Sequence, residues 1–84
     1  MATLKEANQA REEHSAYLQK KLGAHAIMVD RVEDDGGKKT FGVIAYYDAL
    51  PPREDTPENL EIKHGGKVKK IPLRSEIAPM AELE

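Results

Sequence analysis

Apolar residues follow two periods along the chain: a helical one up to about position 22, then short apolar runs of strand length. In the first stretch Leu4, Ala7, Ala10, His14, Tyr17, Leu18 and Leu22 share one arc, with Lys5, Gln9, Glu12, Glu13, Ala16 and Lys20 mostly opposite. Thr3 followed by Glu6 has the spacing of a capping box, which satisfies backbone donors orphaned at a helix start. Lys20 and Lys21 suit the negative end of a helix, and Gly23 suits the left-handed position that stops one. One amphipathic helix is predicted between Thr3 and Gly23.

Residues 24–32 and 40–49 are rich in Ile, Val, Phe and Tyr and flank Glu33-Asp34-Asp35-Gly36-Gly37-Lys38. This pattern predicts a β-hairpin. A turn centred on Asp35-Gly36 sets Ile27 opposite Ile44, Met28 opposite Val43 and Ala26 opposite Ala45. Ala26, Met28, Phe41, Val43, Ala45 and Tyr47 then share one face, and His25, Ile27, Val29, Ile44 and Tyr46 the other. Three prolines make residues 50–57 an unpaired connection. Residues 60–64 and 67–73 read as a second hairpin about Gly65-Gly66, with Leu60, Ile62, Lys69 and Ile71 on one face. Pro72 implies that its strand ends there or lies at a sheet edge.

The expected fold is α+β: one N-terminal helix packed on a small antiparallel sheet of two β-hairpins. Residues 1–74 form the single domain, and residues 75–84, with Pro79 and little period, a flexible C-terminal tail. The terminal Leu83-Glu84 has the look of a cloning remnant and carries no functional weight. A chain of 84 residues without cysteine has neither disulfides nor thiolate metal sites to stiffen it. Domains of this size bury only about 60–65% of the surface their unfolded chains expose, so a partner that covers more adds appreciably. Thirteen basic against fifteen acidic residues, for a net charge of −2, set aside a general nucleic-acid or membrane field. With no membrane span or signal peptide in the pattern, the chain is read as soluble, and cytoplasmic by default.

The candidate chemistry is sparse. His14, His25 and His64 match no metal-ligand spacing, and His14 on the apolar arc reads as a partly buried histidine with one hydrogen bond. Ser15 and Ser75 lack an adjacent base, since His14 and Ser15 point about 100° apart on a helix. Glu12-Glu13 reads as a solvated helix face, Asp34-Asp35 as a turn, and the two Gly-Gly-Lys tips as turns rather than phosphate loops. Neither a metal nor any other cofactor is expected. Lys63, Lys67, Lys69, Lys70 and Arg74 make the second hairpin locally basic, which reads first as a charged protective edge and only then as a weak nucleic-acid surface. More informative is the first hairpin, apolar on both faces where one helix covers one.

The helix with His14 and Leu18, the Gly23 break, strands ending at Tyr46-Tyr47, then Pro51-Pro52-Arg53-Glu54, Pro57-Glu58 and a short strand form a recognisable layout. It resembles the non-catalytic segment ahead of the catalytic domain in some bacterial trypsin-like serine proteases and in stand-alone relatives. Where that segment often alternates glycine and valine after the break, this chain has Ala24-His25-Ala26-Ile27-Met28-Val29. The resemblance implies an accessory α+β module without catalytic residues of its own.

The expected function is a non-enzymatic protein-interaction or accessory module, pairing with itself as a homodimer or with another protein through an apolar sheet face or edge. The expected contact residues are Met28, Val43, Ala45, Tyr47, Ile44 and Tyr46. The alternative is a small-ligand binder or minor enzyme using His14 and His25, with Tyr17 or Tyr46, in a cleft between helix and sheet.

Overall fold

The computed structural model describes residues 2–34 and 36–78. Thr3 and Glu6 form the predicted capping box: Thr3 Oγ1 accepts from the Glu6 N–H at 3.2 Å, and the Glu6 carboxylate from the Thr3 N–H at 2.9 Å. Helix α1 therefore starts at Leu4 and runs over Leu4–Lys20. Gly23, at φ +84°, turns the chain out of it, and the Ala24 N–H bonds back to Leu18 O. Four strands follow: β1 (Ala26–Glu33), β2 (Lys39–Tyr47), β3 (Asn59–His64) and β4 (Lys67–Ile77), with a short 3-10 turn at Arg53–Asp55.

The α+β class stands, but the sheet is mixed. Its order is β1-β2-β4-β3, with β1/β2 and β3/β4 antiparallel and β2/β4 parallel. Residues 48–58 cross the end of the sheet and leave a gap one strand wide between β2 and β3, which β4 fills on its return. Pro72 thus lies in a central strand, neither at an edge nor at a strand end. The Leu73 N–H faces β3 and bonds Glu58 O at 3.0 Å, so by alternation the nitrogen of Pro72 faces β2. Pairing with β2 begins only at Leu73, opposite Val43, so no ladder bond is lost at Pro72. Ser75 to Ile77 pair with Ala45 to Tyr47 and belong to the sheet, not to a tail; residues 79–84 lie outside the described residues.

The first hairpin pairs one residue away from the expected register: Met28 faces Ile44, Val29 faces Val43 and Ala26 faces Tyr46. Asp34 accounts for the shift. Its Oδ1 accepts from Gly36 N–H and Lys38 N–H, both at 2.9 Å, Gly37 supplies a positive φ of 79°, and Asp34 pairs with Lys38. Three residues, not two, stand between the paired ends, and a shift of one exchanges the faces of one strand relative to the other.

Val43, Ala45 and Tyr47 lie under the helix with Leu60, Ile62 and Ile71, all at most 2% exposed, and the observed register sets Val29 and Ile27 of β1 on their face. Ala7 and Ala10 let the helix backbone come close to the sheet, and Leu18 fills the space beyond them. Leu4 and Tyr17, at the ends of the predicted apolar arc, stay exposed. Glu6, by contrast, is 1% exposed and ion-paired with Lys69 of β4, tying the helix start to the sheet. The Lys69 hydrogen bond, then the Thr3 N–H, hold its carboxyl down at about 2 against the opposing effect of burial. On the other face Val32 leans over Gly42, where an added Cβ would stand 2.5 Å from Val32 Cγ2 and 2.8 Å from the Pro72 carbonyl oxygen.

A carboxyl held low contributes stability that is full above its unfolded value, near 4.5, and lost as pH falls towards 2. Glu6→Gln keeps an acceptor for the capping box and removes the titration, so its urea midpoint should fall less than the parent's between pH 5 and pH 2. At Gly42 an alanine has to displace backbone. Gly42→Ala should lower the unfolding free energy by about 1–3 kcal/mol in urea titrations at neutral pH.

Candidate interaction site

Hydrogen-bond parity decides which backbone groups of the edge strands face outward. In β3 the even residues pair with β4, as the bond from Leu73 N–H to Glu58 O fixes, so Asn59, Glu61 and Lys63 point their peptide groups away from the sheet. Helix side chains take two of these carbonyls. His14 Nε2 donates to Glu61 O at 2.8 Å, and Gln9 Nε2 to Lys63 O at 2.8 Å. The amide of Gln9 also donates to Glu13 Oε2, and its Oε1 accepts from His64 Nδ1 at 3.2 Å. The helix thus caps two of the outward carbonyls of the β3 edge.

Strand β1 forms the other edge. The bond from Asp34 N–H to Lys38 O places the even residues of the hairpin towards β2, so Ile27, Val29, Arg31 and Glu33 face outward. The Arg31 N–H is held by the Asp30 carboxylate at 2.7 Å, and the His25 N–H, at the strand's start, is bonded to Tyr46 O at 2.9 Å. Among the described residues no group bonds the outward peptides of Ile27 and Val29. Next to this gap, the sheet face away from the helix carries cross-strand rows of Met28, Ile44 and Arg74 and of Ala26, Tyr46 and Glu76. Met28 is 51% exposed, and Ile44 and Tyr46 are half-buried. Open backbone and an apolar strip thus adjoin each other.

No known protein family, curated protein or solved structure matches this chain.

Of the six expected contact residues, Met28, Ile44 and Tyr46 lie on the open face. Val43, Ala45 and Tyr47 do not: they are 0% exposed in the core beneath the helix, where no partner reaches them, because alternation along β2 turns them away from the face of Ile44 and Tyr46. The Tyr47 hydroxyl is buried near Ser75, and burial pushes its pKa above the usual value.

The residues of the ligand reading do not gather. His14 and Tyr17 line a shallow cleft of about 420 Å³ with Glu54, Asp55, Thr56 and Pro57, whereas His25 and Tyr46 line none of it. His14 already donates to Glu61 O, and the Tyr17 hydroxyl donates to Asp55 O at 3.2 Å. His25 stands 3.6 Å from Asp48 Oδ1 with its side chain 8% exposed. Ser15 Oγ is turned back to Glu12 O. Among the described residues no three His, Asp or Glu side chains are grouped to hold a metal ion, and no helix is long and apolar enough to cross a membrane. The basic residues of the second hairpin divide between faces, Lys69 beneath the helix with Glu6, and Lys63, Lys70 and Arg74 on the other side. They do not make a protective edge strand of β4, which is central.

Gln9 and Asp30 are site-defining residues that the sequence did not single out. Gln9 stood among the polar positions of the helix, and Asp30 begins the charged pair Asp30-Arg31 that interrupts the apolar run of residues 24–32. That interruption was the available signal for Asp30. Removing the helix's cover with Gln9→Ala plus His14→Ala should cost about 1–3 kcal/mol for the lost hydrogen bonds. It should also expose a second sheet edge, seen as light scattering on concentration where the parent stays clear. Equal clarity would show that the two side chains do not guard the edge.

Proposed function

We propose that the chain is a non-enzymatic protein-interaction module that docks through the β1 edge at Ile27 and Val29 together with Met28, Ile44 and Tyr46. The supporting observation is the contrast between edges: on one, two helix side chains cap outward carbonyls, while the other leaves both the N–H and the carbonyl of Ile27 and Val29 unbonded beside an exposed methionine. An extended segment added to such an edge gains main-chain hydrogen bonds, and its alternate side chains meet the apolar strip. The groups that a catalytic reading would use are engaged elsewhere, His14 and Tyr17 on backbone carbonyls and Ser15 on its own helix. On this reading the chain is an accessory domain, as is the protease-associated segment whose layout it resembles.

A docking face tolerates polar substitution where a core face does not. Met28→Lys, Ile44→Lys and Tyr46→Lys should each unfold within about 0.5–1 kcal/mol of the parent, whereas Val43→Lys should not fold. In cells expressing the chain, the same three outer-face variants should lose the cross-linked species formed by the parent. Outer-face variants as destabilised as Val43→Lys, or no cross-linked species for the parent, would overturn the proposal.

A further inference from the structure

Resting on the interaction reading, we infer that the occupant of the open edge is a second copy of this chain, paired antiparallel through Ile27-Met28-Val29 with Met28 on the two-fold axis. The edge itself selects this arrangement. Its outward-bonding residues are odd-numbered, so an antiparallel two-fold pairing has to centre on a residue rather than between two. Centring on Asp30 sets two carboxylates face to face, and centring on Arg31 two guanidiniums, both repulsive across strands. Centring on Val29 requires the N–H of Arg31, which the Asp30 carboxylate already holds at 2.7 Å, and centring on Ile27 that of His25, which Tyr46 O holds at 2.9 Å.

Centring on Met28 uses only what is free. Ile27 of each copy then exchanges both hydrogen bonds with Val29 of the other, four bonds in all, and pairing stops where Asp30 holds the Arg31 N–H and Tyr46 O holds that of His25. Asp30 falls opposite Ala26 of the second copy, clear of any like charge. On the outer face the row from Ile44 to Met28 continues into Met28 and Ile44 of the second copy, covering the most exposed hydrophobic residue of β1. The product is a continuous eight-stranded sheet whose outermost strands are the two β3 strands, each with two outward carbonyls capped by its own helix. Asp30 and the bend at His25 act as stops that fix the register of the pairing.

The chain contains no cysteine, so single cysteine variants report this geometry directly. Opposed residues of a non-hydrogen-bonded antiparallel pair have Cα atoms about 4.5 Å apart, inside the range of about 4.4–6.8 Å that a disulfide spans. With oxidised glutathione, Met28→Cys should form a disulfide-linked dimer and Asp30→Cys alone should not, while mixing Ala26→Cys with Asp30→Cys should give the mixed dimer. In sedimentation equilibrium the parent should show a concentration-dependent species of twice the monomer mass, and Met28→Lys should weaken it by at least about tenfold. A parent that stays monomeric, with Met28→Cys not linking to itself, would overturn the self-pairing. If another protein were then cross-linked through Met28 in cells, the interaction reading would stand without it; if nothing were, both would fall. Efficient linking of Asp30→Cys to itself would overturn the Met28-centred register.

Discussion

The carboxylate of Asp34, by accepting from the N–H groups of Gly36 and Lys38, decides which way the strand side chains of the first hairpin point. It sets the paired ends at Asp34 and Lys38, and from there alternation puts Ile27, Val29, Val43, Ala45 and Tyr47 towards the helix and Met28, Ile44 and Tyr46 away from it. Which residues of β1 join the core face, which join the open face, and the parity of the β1 edge all descend from that turn. With the opposite parity, different peptide groups of β1 would face outward, and the donors held at His25 and Arg31 would no longer bound a free segment.

The helix has two tasks on the sheet. Through Ala7, Ala10 and Leu18 it covers one face, and through Gln9 and His14 it reaches past that face to the backbone of β3. A short helix over four strands cannot guard both flanks, and its polar reach is spent on β3. Strand β1 is left with one local guard, the Asp30 carboxylate on its neighbour's N–H. The protection of edges, more than any cluster of reactive side chains, distinguishes one side of this molecule from the other.

Much of the fold was legible in the sequence. Thr3, Glu6 and Gly23 bounded the helix as local capping chemistry requires, and Gly65-Gly66, both at positive φ, marked the second hairpin and its register. Strand order was not legible, because β4 sits between β2 and β3 through pairings remote in sequence, and Pro72 is harmless there only because its nitrogen faces a stretch without partners. The first register was missed for a local reason: the Asp34 side chain supports a three-residue loop where Asp35-Gly36 suggested two. That error put Met28 on the face of Val43 when it shares the face of Ile44; which face of β2 the helix covers was not legible, so the expected site drew on both, Val43, Ala45 and Tyr47 from the buried one and Ile44 and Tyr46 from the open one. The capping of β3 carbonyls by Gln9 and His14 depends on side-chain reach across some 50 positions of sequence, which no helical pattern encodes.

The position of β4 also bears on how the molecule assembles in time. The β1/β2 and β3/β4 hairpins are local in sequence and close early, but the parallel seam from Val43 and Leu73 to Tyr47 and Ile77 joins segments some 30 residues apart and is slow to form. Until it closes, the inner flank of β2 is an unpaired strand edge, a surface of the kind that pairs with other chains. The Glu6–Lys69 ion pair links the first turn of the helix to the strand that completes the seam. That pair therefore couples the start of the chain to the strand whose return completes the sheet.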